Sequence, residues 1–201
     1  LAGWWPLSTA RGWDDTLILF SSDNGPWFEG SAGPHRGRKG DAGYEGGYLV
    51  PMIARWTGTL RPRVTDAIAM NIDLLPTICA ATGTPLPAVE LDGRDLLPVL
   101  RDGAPSPHEQ LVLFHNERVA AVRTPRWKYV GRAYYRHYHL PLAALGLPLL
   151  FDLRSDPDET LNMAERAPDV LRDMAARFAA ARSRFEPLGI RQQPDTLPNV
   201  G

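Results

Sequence analysis

One cysteine, Cys79, is all that 201 residues contain. No intrachain disulfide can form from it, and no cysteine-based zinc site can be built. Lysine is nearly as scarce: of 22 basic residues, only Lys39 and Lys128 are lysines. No apolar run approaches the roughly 20 residues of a membrane-spanning helix, so no membrane partner is expected. Neither sign of charge dominates. The net charge is −1, which gives no whole-chain attraction for nucleic acid. The chain opens on Leu1 with no basic stretch leading into an apolar one, so no signal peptide is visible and the compartment stays open. A Walker loop and a dinucleotide fingerprint are both missing, and there is no internal repeat.

What is present reads as a folded globular chain. Hydrophobic residues make up 44% and charged residues 22%, enough for one domain or one and a half. The preference for Arg and Ala hints at a GC-rich bacterial source.

The stretch around which the rest is organised is Leu17-Ile-Leu-Phe-Ser-Ser-Asp-Asn-Gly-Pro26. It opens as a strand apolar enough for burial on both faces. It ends by setting two hard oxygen donors, Asp23 and Asn24, side by side, a pairing that suits Ca²⁺ or Mg²⁺. Neighbours in a strand point to opposite faces, so both can reach one ion only if the chain leaves strand geometry there. Gly25-Pro26 supplies that break. A hairpin turn at Asn-Gly is the plain alternative, but no alternating return strand follows.

Residues 27–50 are rich in glycine and carry His35-Arg36-Gly37-Arg38-Lys39. Cations between glycines suit an oxyanion, and a solvated surface loop is the plain alternative. In a chain that uses Arg almost everywhere, Lys39 suggests a compact charge with a transferable proton. A second strand is expected over Tyr48 to Trp56. A helix is expected over 66–82 from the spacing of Ile68, Ile72, Leu75, Cys79 and Thr82, with Pro76 kinking or restarting it and Gly83 ending it. Cys79 falls on the apolar stripe and reads as a buried thiol. Residues 84–110 read as a long connection with a short apolar piece at 96–100. Short strands follow at 111–115, 119–123, 127–130 and 149–153, separated by turn signals. The aromatic and cationic start of 132–148 reads as a surface loop. Pro168 to Phe185 reads as an amphipathic helix that covers one face of the small sheet.

These pieces, in order, resemble the C-terminal part of the formylglycine-dependent sulfatases, arylsulfatase type, within the alkaline-phosphatase-like superfamily. The matching stretches are Asp15 to Pro26, Arg36 to Gly47 leading into Val50-Pro51, and Asn71 to Thr77. Leu91 to Leu96, Ala121 to Arg123 with Trp127 to Tyr129, and Leu149 to Leu153 with Asp156 to Glu159 complete the series.

The resemblance implies an α/β fold: part of a parallel or mixed sheet, plus a small C-terminal antiparallel sheet covered by a helix. It divides the chain into an irregular leader at 1–13, part of the catalytic domain at 14–105, an antiparallel subdomain at 106–187 and a tail at 188–201. It also implies that Asp23 and Asn24 ligate an active-site Ca²⁺ or Mg²⁺, and that Lys39 reaches the sulfate group and its bridging oxygen. The substrate would be a small-molecule or glycan sulfate ester, and family members are often exported.

The family's nucleophile is a formylglycine made from Cys or Ser in Cys/Ser-x-Pro/Ala-x-Arg. Cys79 is followed by Ala-Ala-Thr-Gly, and Ser8-Thr-Ala-Arg11 sets its Arg one position early. The nucleophile and the remaining metal ligands are therefore expected in a missing N-terminal half, a possible partner, and the chain alone is expected to be inactive. A phosphatase or phosphodiesterase of the same superfamily, and a non-catalytic fragment, are the alternatives.

Overall fold

The computed structural model describes residues 15–41, 43–135 and 138–188. The leader at 1–13 and nearly all of the tail at 188–201 lie outside them. The chain forms two compact units. Residues up to Asp23 join Pro51–His108, and Asn24–Val50 join the residues from Glu109 onward.

In the first unit, β1 (Ile18–Ser21) and, later in the chain, β2 (Met52–Arg55) pair antiparallel, with Ile18 opposite Arg55 and Ser21 opposite Met52. Burial of β1 on both faces is not what the structure has. Phe20 is 49% and Ile53 48% exposed, because among the described residues this ribbon has no third strand and no layer over that face.

The helix expected from residue 66 starts later. A 3₁₀ turn at Asn71–Asp73 leads into α2 (Leu74–Thr82). Pro76 explains the delay: it has no N–H to donate and its ring crowds the preceding turn, so it is tolerated only near a helix start. Gly83 closes α2 with φ +68, the left-handed cap that glycine adopts without strain. Cys79 is buried as a free thiol. The short apolar piece forms α3 (Leu97–Asp102).

Two of the matched stretches hold each other in this unit. Asp73 is fully buried and accepts hydrogen bonds from the Met70 N–H at 2.7 Å and the Arg94 N–H at 2.8 Å. His108 Nε2 lies 2.8 Å from the same carboxylate. The Thr77 hydroxyl accepts the Leu96 N–H at 2.9 Å. A Cβ at Gly93 would sit 2.0 Å from the Ile72 carbonyl oxygen, so only glycine lets the 91–96 stretch lie this close.

The second unit is built on a four-stranded antiparallel sheet. Its strands are β3 (Leu111–His115), β4 (Arg118–Arg123), β5 (Trp127–Val130) and, two strands later, β8 (Leu149–Asp152), in that spatial order. Between them β6 (Ala133–Tyr135) and β7 (Tyr138–Leu140) pair as a separate two-stranded ribbon where a loop was expected. The last helix, α4 (Pro168–Phe185), has the predicted bounds. Its Met174, Phe178 and Ala181 pack on Val119, Val122, Tyr129 and Leu150 of the sheet. Asp173 and Arg177, one turn apart on α4, form an ion pair at 2.8 Å. Among the described residues, no helix is long and apolar enough to cross a membrane.

Candidate functional site

Tyr129 faces α4, so by strand alternation Lys128 beside it faces the other way. That second face of the sheet is covered by the glycine-rich segment. Gly43 packs within 2.6 Å, measured from an added Cβ, of a Val130 methyl, and the Tyr44 ring lies 6.4 Å from Phe151. A one-turn helix, α1 (Glu45–Tyr48), sits between β1 and β2 in the chain and carries Glu45 into the interface.

There four charged side chains meet. Lys128, with no exposed side-chain surface, places Nζ 2.9 Å from Glu45 Oε1 and 2.9 Å from Glu159 Oε1. Arg123 Nε lies 3.2 Å from Glu45, and the Glu45 N–H donates to Glu159 Oε2 at 2.7 Å. Two cations balance two anions, as a buried cluster requires. Burial works to raise the Glu45 carboxyl. The charges of Lys128 and then Arg123, with their hydrogen bonds, outweigh it and hold Glu45 below its ordinary range. At Glu159 burial prevails over the same lysine, and the Glu45 charge adds to it, so this carboxyl is pushed up. One lysine serves both acids, and the acid that also has Arg123 beside it is the one held low.

The cluster clamps one end of the loop that carries Lys39. The other end is held by Arg36, whose guanidinium donates to the Glu159 carbonyl at 3.0 Å and stacks 4.2 Å over the Tyr44 ring. Nearby, the Tyr48 hydroxyl donates to the Phe114 carbonyl at 2.8 Å, and burial pushes its pKa up to about 12.

Within the loop, main chain meets main chain. The Gly25 N–H donates to Gly47 at 3.0 Å, the Gly46 N–H to Arg36 at 2.7 Å, and the Lys39 N–H to Pro26 at 3.0 Å. A Cβ on Gly25 would sit 1.9 Å from the Gly46 oxygen, and one on Gly46 would sit 2.3 Å from the Gly37 oxygen. At these positions glycine admits a neighbouring stretch of backbone.

The predicted site residues are placed as follows. Asp23 is exposed and closes the first segment of one unit. Asn24, half-buried, opens the other. Lys39 is exposed, and its backbone is bonded to the turn that begins at Asn24. Among the described residues no three His, Cys, Asp or Glu side chains gather as a metal cluster. The donor chemistry of Asp23 and Asn24, carboxylate and amide oxygen, fits a hard divalent cation as part of a larger ligand set. Sequence reasoning missed Glu45, Arg123, Lys128 and Glu159. The signal was available, since the scarcity that singled out Lys39 applies equally to Lys128.

A family model described as "Sulfatase" matches residues 7–84. Human arylsulfatase A is 38% identical over 183 residues, covering 79% of this chain and 36% of that protein. The chain belongs to the sulfatase family. Mouse steryl-sulfatase is 34% identical to this sulfatase chain, over 91% of the chain and 34% of the relative. The N-acetylgalactosamine-6-O-sulfatase of Bacteroides thetaiotaomicron is 27% identical over 85% of the chain and 37% of the relative. Among solved structures, the PsFucS1 sulfatase from Pseudoalteromonas sp. shares the fold with a TM-score of 0.77 at 24% identity, covering 96% of this chain and 42% of that one. This sulfatase chain thus spans about two-fifths or less of the length of these relatives.

Proposed function

We propose that this chain supplies part of the active site of a sulfuric ester hydrolase: two metal ligands, Asp23 and Asn24, and one sulfate-binding cation, Lys39. A divalent cation, Ca²⁺ or Mg²⁺, would supply Lewis-acid polarisation of the sulfuryl oxygens there. Asp23 and Asn24 would hold the cation through a carboxylate and an amide oxygen, with further oxygen ligands needed from other groups. Lys39 offers its ammonium to the sulfate and to the bridging oxygen. It neutralises charge that develops on the leaving oxygen and can transfer a proton to it. The hydrogen bond from the Lys39 N–H to the Pro26 carbonyl supports this reading, because it ties the lysine to the turn that begins at Asn24 through two residues of main chain.

The substrate is a sulfate ester on an aryl, steryl or sugar alcohol, the class that the relatives' names share. The nucleophile motif Cys/Ser-x-Pro/Ala-x-Arg does not occur in the 201 residues, so the chain by itself should not turn over. A formylglycine supplied by further sequence would complete the reaction.

Calorimetry tests the metal site. Ca²⁺ should bind the full chain only in about the millimolar range, and Asp23→Ala should abolish the binding. Tight binding, or binding that survives Asp23→Ala, would place the ligands elsewhere. Measurable hydrolysis of an aryl sulfate by the purified chain would overturn the missing-nucleophile reading.

A further inference from the structure

Immediately after the Asp23-Asn24-Gly-Pro turn the chain presents Trp27 and Phe28, which are 54% and 67% exposed. Two adjacent large aromatics left in water forgo stabilisation that burial would give. Their arrangement is nonetheless built. The rings meet edge to face with centroids 4.8 Å apart. The Trp27 carbonyl accepts the Gly30 N–H at 3.1 Å and closes the turn beneath them. Arg38 comes across from the facing part of the loop, its guanidinium 5.5 Å from the Phe28 ring centre and its Nη1 3.4 Å from the Phe28 carbonyl oxygen. Arg38 is the chain neighbour of Lys39, and Pro26, the neighbour of Trp27, accepts the Lys39 N–H. Trp27 therefore follows the residue that accepts the Lys39 N–H, and Arg38, which reaches the Phe28 ring, precedes Lys39 in the chain. Glu29 follows Phe28 directly and is also exposed, which disfavours seating the sulfate itself on the rings.

From this juxtaposition we infer that Trp27 and Phe28, with Arg38 alongside, form the subsite for the ring of the sulfated substrate. The occupant is a six-membered ring whose face offers C–H groups or π electrons, as a pyranose or an arene does. It would lie against the aromatics while its sulfate points to Lys39. Aromatic side chains recognise such a face by dispersion and quadrupole attraction and tolerate variation at its edge. The inference rests on the Lys39 reading for its orientation, but not for the stacking itself.

Nuclear magnetic resonance on the full ¹⁵N-labelled chain in the presence of Ca²⁺ separates the two. The probes are sodium sulfate, 4-nitrophenyl sulfate and N-acetylglucosamine 6-sulfate at matched ionic strength, read at the Lys39 amide and the Trp27 indole N–H. The sulfated rings should bind about fivefold tighter than inorganic sulfate, and the better ester tells an arene from a sugar. Trp27→Ala and Phe28→Ala should each remove most of that advantage and leave inorganic sulfate unchanged, while Trp27→Phe restores part of it. Lys39→Ala should weaken all three probes. If Lys39→Ala has no effect while Phe28→Ala still weakens the esters, the subsite stands and the role of the lysine falls. The subsite is overturned if the esters bind no tighter than sulfate, which would leave the aromatics to cover another stretch of polypeptide. It is also overturned if Phe28→Ala weakens sulfate as much as the esters. No saturable shift with any probe overturns both readings.

Discussion

Lys128→Met removes one ammonium from a site that keeps two carboxylates. The lysine has no exposed side-chain surface and sits 2.9 Å from both Glu45 and Glu159. Methionine fills much the same volume, so packing loss is minor and the effect is electrostatic. Deleting one partner of a buried ion pair costs about 3–5 kcal/mol, because the remaining charge has no water to turn to. Arg123 neutralises only one of the two acids. Domains of this kind hold about 5–15 kcal/mol in total, so the variant should lose a large part of its stability. With a urea dependence of about 2 kcal/mol per molar, the midpoint should fall by about 2 M. Lys128→Met combined with Glu159→Gln removes charge of both signs and should recover at least half of that loss.

The scarcity of lysine supplies an independent readout. In the native chain an amine-reactive ester should modify Lys39 and the N-terminus, and reach Lys128 only through an opening. An opening of about 4 kcal/mol makes that on the order of a thousandfold slower. The reasoning fails if Lys128→Met stays within about 1 kcal/mol of the parent, or if Lys128 labels as fast as Lys39.

Gly46→Ala puts a methyl group 2.3 Å from the Gly37 oxygen, and that backbone is itself bonded in place. It should cost about 1–3 kcal/mol by overpacking and abolish sulfate-induced shifts at the Lys39 amide, whereas Gly40→Ala, with nothing within 4 Å but φ +89, should cost only about 1–2 kcal/mol and keep the shifts. Acid should unfold the chain, and the sign follows from the carboxyls. Glu45 is held low by Lys128 and Arg123 against burial, and Asp152 is held low by Arg126. Their contribution is complete above the ordinary carboxylate range and is lost as pH falls through their lowered values. Glu159, pushed up by burial, acts in the opposite sense, its contribution fading as pH rises through its raised value. Urea midpoints should therefore drop from about pH 5 downward, and a midpoint that rises on acidification would contradict the assignment of Glu45.

Helix α4 could be read to the residue because Pro168 marks its start and the stripe Leu171, Met174, Phe178, Ala181, Phe185 needs nothing beyond local spacing. The start of α2 was misread from the same kind of spacing. Ile68 and Ile72 fit the period, yet residues 66–70 lie outside any helix, because Pro76 confines itself to the first turn and Asp73 ties the chain back to Met70. The strands of the β6–β7 ribbon, Ala-Tyr-Tyr and Tyr-His-Leu, are three residues each, too short for a period to mark them. The charged cluster was invisible for a different reason. Glu45 is 78 residues from Arg123 and 114 from Glu159, and only the fold brings them together. Glu45, Arg123, Lys128 and Glu159 lie in matched stretches, and they secure the loop that bears Lys39 and not the chemistry itself.

The polypeptide passes from one compact unit to the other three times, after Asp23, after Val50 and after His108. A scissile point at residue 108, chosen as if the halves were beads on a string, would deprive the C-terminal sheet of Glu45 and of the layer over Lys128. A buried amine would then face a single acid and open water. Dissection of this molecule into autonomous pieces has to carry residues 24–50 along with the sheet, by circular permutation and not by truncation.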